Sequence, residues 1–254
     1  CIQDSTLYSD DSTRYKSQDE VHSVNLRFET KIDSLTTLDI RPQLRVSQGL
    51  QNNLDYSSWL DRDNTFSRSN NVVNSNDAKS VALTNEVRFV KDFMKKRRKL
   101  TANYDLALEE NRATGNLNST NIFSDSAQTA ASFDQNKINN RAGITNSFRM
   151  SYFEPLGSKF KIQTEYSFDI GNTNQIKETV DFNPTTGQYD LVNNTFSNSF
   201  DNVKTQHRAG AQLWYESKKY TIHGGIRIRN IVLENINRVT DNVIYQNFTN
   251  VLPV

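Results

Sequence analysis

Apolar and polar residues alternate one for one along several stretches of this chain, the period of an extended strand whose two faces meet different surroundings. In the first stretch Val24, Leu26, Phe28, Thr30 and Ile32 share one face, and Ser23, Asn25, Arg27, Glu29 and Lys31 the other. After a turn at Asp33, Ser34 and Leu35 the second sets Leu38, Ile40, Pro42, Leu44 and Val46 against Asp39, Arg41, Gln43 and Arg45. Six more follow: Val81 to Phe89, Leu100 to Leu108, Ala142 to Tyr152, Phe160 to Ile170, a stretch ending in Ala209, Ala211, Leu213 and Tyr215, and one opening with Tyr220, Ile222, Gly224, Ile226 and Ile228. Phe248 to Val254 reads as the opening of a ninth, cut off.

The connections sort into two kinds. Short ones fall at 33–35, 91–98, 154–157 and 216–219, and long Asn/Ser/Asp-rich ones at 47–78, beyond 109 to about 138, and 171–203. Short turns at one end and long loops at the other are what a transmembrane β-barrel requires, whereas a soluble sandwich has no reason to sort its loops. Phe93, Tyr152, Phe153, Phe160, Tyr215 and Tyr220 all lie next to short turns, where an aromatic belt marks a membrane interface. The expected fold is therefore all-β, an antiparallel up-and-down transmembrane barrel segment of about eight strands plus a ninth-strand stub. Apolar faces are expected to meet lipid and charged faces to point inward. Asn85 and Asn146 fall on the lipid side of this scheme, and a bulge turning them inward would relieve them.

Composition narrows the alternatives. Hydrophobic residues make up only 35% and mean hydropathy is -0.72, which suits either disorder or strands with a single apolar face. Fourteen Phe and ten Tyr favour strands. A net charge of +1 supplies no field for nucleic acid, and the run Lys95 to Lys99 reads as a solvated turn. No stretch of about 18 apolar residues occurs, so no transmembrane helix is expected. The single cysteine, Cys1, excludes an internal disulfide; it suits either a lipidated N-terminus or a chain that simply begins there.

No catalytic motif, phosphate loop or metal spacing occurs, and His22, His207 and His223 are scattered, so neither enzyme activity nor a cofactor is expected. The triplets beginning at Asp4, Asp11, Asp33 and Asp125 have the Asp-Ser/Thr form of short O-glycosylation sites, a pattern of low specificity. The inward faces gather Arg27, Glu29, Arg41, Arg45, Glu86, Arg88, Arg149, Lys161, Glu165, Arg227 and Arg229. A lumen wall of both signs suits water, a plug or a polar solute, or ion pairs that stiffen the barrel.

HSVNLRFETKIDSLTTLDIRPQL at 22–44, RFVKDFMKKRRKLTANYD at 88–105, SYFEPLGSKFKIQTEYSF at 151–168, FNPTTGQYDLVNN followed by HRAGAQLWYESKKYTIHGGI, and the final FTNVLPV together resemble the outer-membrane β-barrel proteins of Bacteroidota, a family related to TonB-dependent receptors. The resemblance implies that residues 1–254 are an internal, partial barrel domain, an open curved sheet belonging to a barrel of about 22 strands, without the plug and N-terminal domains of such receptors. It implies outer-membrane localisation and, as partners, membrane lipid, the plug of the same parent chain, and the TonB complex or a surface lipoprotein, but no nucleic acid. The implied function is TonB-dependent nutrient uptake with long loops capturing ligand. A non-transporting structural or adhesive barrel is the alternative, and a soluble Asn-rich sandwich a more distant one.

Overall fold

The computed structural model describes residues 7–124 and 132–253. Two of the triplets, at Asp4 and Asp125, lie outside the described residues, as does Cys1. Eleven strands and no helix are found among the described residues: β1 (Tyr8–Asn25), β2 (Phe28–Asp33), β3 (Thr36–Leu60), β4 (Phe66–Asp92), β5 (Lys99–Phe123), β6 (Ser132–Leu156), β7 (Phe160–Asn183), β8 (Gln188–Val192), β9 (Asn198–Glu216), β10 (Thr221–Asn237) and β11 (Asn242–Pro253). All pairings are antiparallel, in the order β1-β3-β4-β5-β6-β7-β9-β10-β11.

β2 continues β1 along β3, and the break between them has a local cause. Pro42 lies opposite it and has no N–H to give to the ladder, so only Leu26 N donates, to Pro42 O at 3.0 Å. Counting β1 with β2 as one strand, and β8 as a side hairpin on β7, leaves eight strands and a ninth, β11, as expected. β1 and β11 do not pair with each other, so the sheet is open.

The register separates two faces. One cross-strand row reads Thr30, Leu38, Phe89, Ala102, Met150, Tyr166, Ala209, Ile228, Val251; the next reads Glu29, Asp39, Arg88, Asn103, Arg149, Ser167, Arg208, Arg229, Asn250. No hydrophobic residue is buried among those described. Apart from Pro155 the few buried residues are polar, including Asp39, Ser167 and Gln206 on the charged face. Such a sheet has no core of its own, and its apolar face requires an apolar medium.

The strands run far past the apolar band. On β3 the band ends at Val46, and the row Gln48, Lys79, Arg112, Asn140 closes it across four strands. The segments expected to be long loops are largely strand: β3 and β4 stay paired to Leu60 and Phe66, joined by only 61–65, and β10 and β11 are joined by 238–241. Two connections at this end are thus as short as the turns at the other, and it is strand overhang that marks the end. Above the membrane neither face needs to be apolar, so the backbone ladder persists where the alternation of hydropathy stops. Side-chain bonds brace the overhang, among them Thr13 Oγ1 to Asp55 Oδ1 at 2.8 Å and Gln135 Nε2 to Asp181 Oδ1 at 2.8 Å. At the tip between β3 and β4, Asp61 accepts from the Thr65 hydroxyl at 2.6 Å and the Thr65 N–H at 3.0 Å, which holds its carboxyl below the usual range.

The two asparagines stay on the apolar face, because pairing runs through both without a bulge. Asn146 Oδ1 accepts from Tyr104 Oη at 2.7 Å, whereas Asn85 Oδ1 has no partner. Phe153 falls on the charged face, opposite Gln163, and leaves the expected belt.

Consecutive glycines on β10 offer a packing test. A Cβ at Gly225 would stand 2.3 Å from Ala211 O and 2.8 Å from Gln212 Cα, whereas one at Gly224 meets nothing within 4 Å. Gly225→Ala is expected to lower stability by about 1 to 3 kcal/mol through overpacking. Gly224→Ala should be neutral, a contrast readable from paired denaturant titrations.

Candidate functional site: the charged face and the short-turn end

The four short turns gather at one end. Asp92 N donates to Leu35 O and Glu216 N to Lys159 O, each at 2.8 Å, so neighbouring hairpins are stitched through their turns. Ion pairs reinforce this: Lys91 Nζ to Asp33 at 3.0 Å, Lys95 Nζ to Glu154 at 2.6 Å, Arg98 Nη2 to Glu154 at 2.8 Å and Arg97 Nη1 to Glu216 at 3.6 Å. The basic run is thus a clasp between hairpins, not only a solvated turn. Phe93 meets Tyr152 edge-on at 6.2 Å and Phe160 meets Tyr215 at 5.0 Å, giving the end a partial aromatic girdle.

Two carboxyls there are held low. The Arg98, Lys95 and Tyr152 donors bring Glu154 to about 2, and the Leu35 N–H with the Lys91 ammonium brings Asp33 to about 2. A depressed carboxyl contributes stability that is full above its unfolded value, near 4, and lost as pH falls through about 2. The unfolding midpoint is therefore expected to fall between pH 5 and pH 2.5, and more steeply than in Glu154→Gln. At neutral pH Glu154→Gln should quicken trypsin cleavage within 95–98, and an unchanged rate would count against the clasp.

Along the sheet the charged face divides into paired and unpaired groups. Arg27 Nη2 reaches Glu29 at 2.6 Å and Asp39 at 2.9 Å; Arg41 Nη2 reaches the same Asp39 at 2.6 Å and its Nη1 reaches Glu86 at 3.5 Å. Asp39 is the buried centre of this network, and a groove opens beside it between Arg27, Arg41, Thr84, Glu86 and Asp105. Farther along the same face Arg227 pairs with Glu165 at 2.5 Å across Gly210, where a Cβ would crowd Glu165 Oε1 at 3.3 Å. Arg141 pairs with Glu109 at 3.1 Å.

Lys161 belongs to the short-turn end. Its Nζ lies 2.5 Å from Glu216 and 4.5 Å over the Trp214 ring, which stacks on His223 at 4.2 Å. Arg45, Arg88, Arg149 and Arg229 form no ion pair among the described residues. Asp39, Asn103, Ser167, Asp169 and Arg208 also lie on the face and were not among the expected site residues. Their alternation marks the face they occupy, but only the register shows who stands beside whom. Among the described residues no group of three or more His, Cys, Asp or Glu could hold a metal ion.

A sheet with one lipid-compatible face, a girdled turn end and no core is barrel wall. The model of the outer membrane protein beta-barrel family matches residues 91–254, from the end of β4 through β11. The chain belongs to this outer-membrane β-barrel family. Its place is the outer membrane. No curated protein matches it. Among solved structures it is similar to the ferric citrate transporter FecA in its unliganded form, with 10% identity over 92% of this chain and 41% of that one and a TM-score of 0.37. It is also similar to BauA, the ferric preacinetobactin receptor from Acinetobacter baumannii, with 9% identity over 96% of this chain and 43% of that one and a TM-score of 0.46. The translocator domain of the autotransporter NalP from Neisseria meningitidis gives 9% identity, 97% and 86% coverage and a TM-score of 0.17. The chain thus spans less than half the length of FecA and BauA; the family match carries the assignment.

Proposed function

We propose that this barrel wall belongs to an outer-membrane receptor or transporter, a non-enzymatic protein that takes up a scarce nutrient in a TonB-dependent manner, with the charged face lining the lumen. The observation that carries the reading is the charged face itself. A wall facing only lipid or only packed side chains has no use for arginines left unpaired beside ion-paired networks, whereas a lumen that holds a plug and passes a polar solute does. The open sheet, with the outer edges of β1 and β11 unpaired among the described residues, supports a larger closed barrel of which these nine strands are part. The partners that follow are outer-membrane lipid, a plug from the same parent chain, and the TonB complex or a surface lipoprotein; the Bacteroidota resemblance is the source of the last two.

Capture falls to the paired overhang and its tips, since the expected long loops are strands. The same overhang favours the second reading, a structural or adhesive surface barrel, because a stiff paired wall presents a fixed binding surface. Deleting the gene and, separately, dissipating the proton gradient tests the choice. Loss of growth on one limiting nutrient under both treatments supports uptake; growth unchanged on every nutrient, with loss of surface attachment, supports adhesion.

A further inference from the structure

We infer that the row Arg88, Asn103, Arg149, Ser167, Arg208 and Arg229 is a binding seat for the phosphate or carboxylate group of a small anionic solute. The inference rests on the reading that the charged face lines the lumen. These six are successive cross-strand partners from β4 to β10, so their side chains stand side by side at strand spacing, about 4.8 Å.

Three observations converge on this row. None of its four arginines has an ion-pair partner among the described residues, although Arg27, Arg41, Arg141 and Arg227 on the same face all do. Ser167, only 5% exposed, lies between Arg149 and Arg208, and its Oγ has no hydrogen-bond partner. Arg229 Nε, also buried, is a second donor without a partner. Buried donors are normally satisfied, and two exceptions in one row point to a missing acceptor.

The chemistry selects an oxyanion. Arg208 and Arg229 stand directly opposite each other, an arrangement that is destabilising for like charges unless an anion sits between them. Guanidinium forks match phosphate and carboxylate oxygens two at a time, and the Ser167 hydroxyl adds a donor between Arg149 and Arg208. The adjoining row carries Glu86, Asp105 and Asp169. A long acidic segment would have to lie over those carboxylates, whereas one small oxyanion fits the width of the arginine row.

The test uses whole cells carrying the full-length protein in a cysteine-free background that includes Cys1→Ser, with single reporters at Thr145→Cys and Asn103→Cys. Thr145 is exposed on the charged face, away from the seat. Its thiol should react with both a sulfonate-bearing and a trimethylammonium-bearing thiosulfonate; silence to both would overturn the lumen reading itself. At Asn103→Cys the anionic reagent should react faster by about tenfold or more, through the concentrating effect of the arginines. The preference should vanish when Arg149→Gln and Arg208→Gln are added. Inorganic phosphate or succinate should slow labelling; protection by the first alone assigns a phosphate-class group, by the second alone a carboxylate. A reactive Thr145→Cys with no anion preference and no protection at Asn103→Cys would overturn the seat while leaving the lumen reading intact.

Discussion

Arginine in place of Phe148 is expected to destabilise the folded protein in a bilayer by about 2 to 4 kcal/mol, the penalty of that side chain at the midplane of a barrel's lipid face. Phe148 lies on β6 midway along the apolar band, directly between Tyr104 and Phe168, with Met150 and Ile144 on the same face. No carboxylate is placed on that stretch of face to receive a guanidinium. Thr145→Arg puts the same charge on the opposite face of the same strand, where water or the acidic row can solvate it. Denaturant titration of the full-length protein folding into phospholipid vesicles, followed by its tryptophan fluorescence, reads both variants. Equal losses, or the larger loss at Thr145, would mean that the faces are assigned the wrong way round.

Residues 1–254 expressed alone should not yield a compact, heat-modifiable barrel species in detergent or vesicles. The outer edges of β1, 18 residues long, and β11, 12 residues long, carry backbone groups that no strand accepts among the described residues. Each such group costs several kcal/mol in hydrocarbon, more in sum than a folded domain's whole stability. The expected products are aggregates formed edge to edge or degraded chain. Semi-native electrophoresis decides: a sharp band that shifts on boiling would show that the two edges find each other and that the sheet closes by itself.

The membrane-crossing part of the fold was legible because lipid imposes a rule on side chains. Leu38, Ile40, Leu44 and Val46 must be apolar and Asp39, Arg41 and Arg45 need not be, so the period of two is written into β3 over that span. Beyond Val46 water lies on both sides and the rule lapses. Asn52, Asn53 and Asp55 are strand residues that carry no sign of it, and so 47–78 resembled a loop. The break at Leu26 and Arg27 had a readable cause in Pro42, but only once Pro42 is known to lie opposite. The candidate site was half legible for a related reason. Alternation tells which face Arg88 or Arg149 occupies, but the Arg41 pair with Asp39 and the Arg208 juxtaposition with Arg229 depend on pairing between strands. Phe153 was misplaced because nearness to a turn says nothing of which face a residue takes.

The overhang also sets the distance at which anything large first touches this protein. From Ser47 to Leu60 the paired β3 and β4 climb about 45 Å along their own axis, which at a 45° tilt is about 30 Å of height above the band. A hydrogen-bonded ladder of that length does not fold aside. Because β1 and β3 to β6 stay paired with one another through the overhang, it stands as one continuous wall, and an antibody or a phage tail meets the hairpin tips before anything else. An epitope inserted at Asp63 would accordingly ride clear of the surface and stay in reach of reagents that never come near the bilayer.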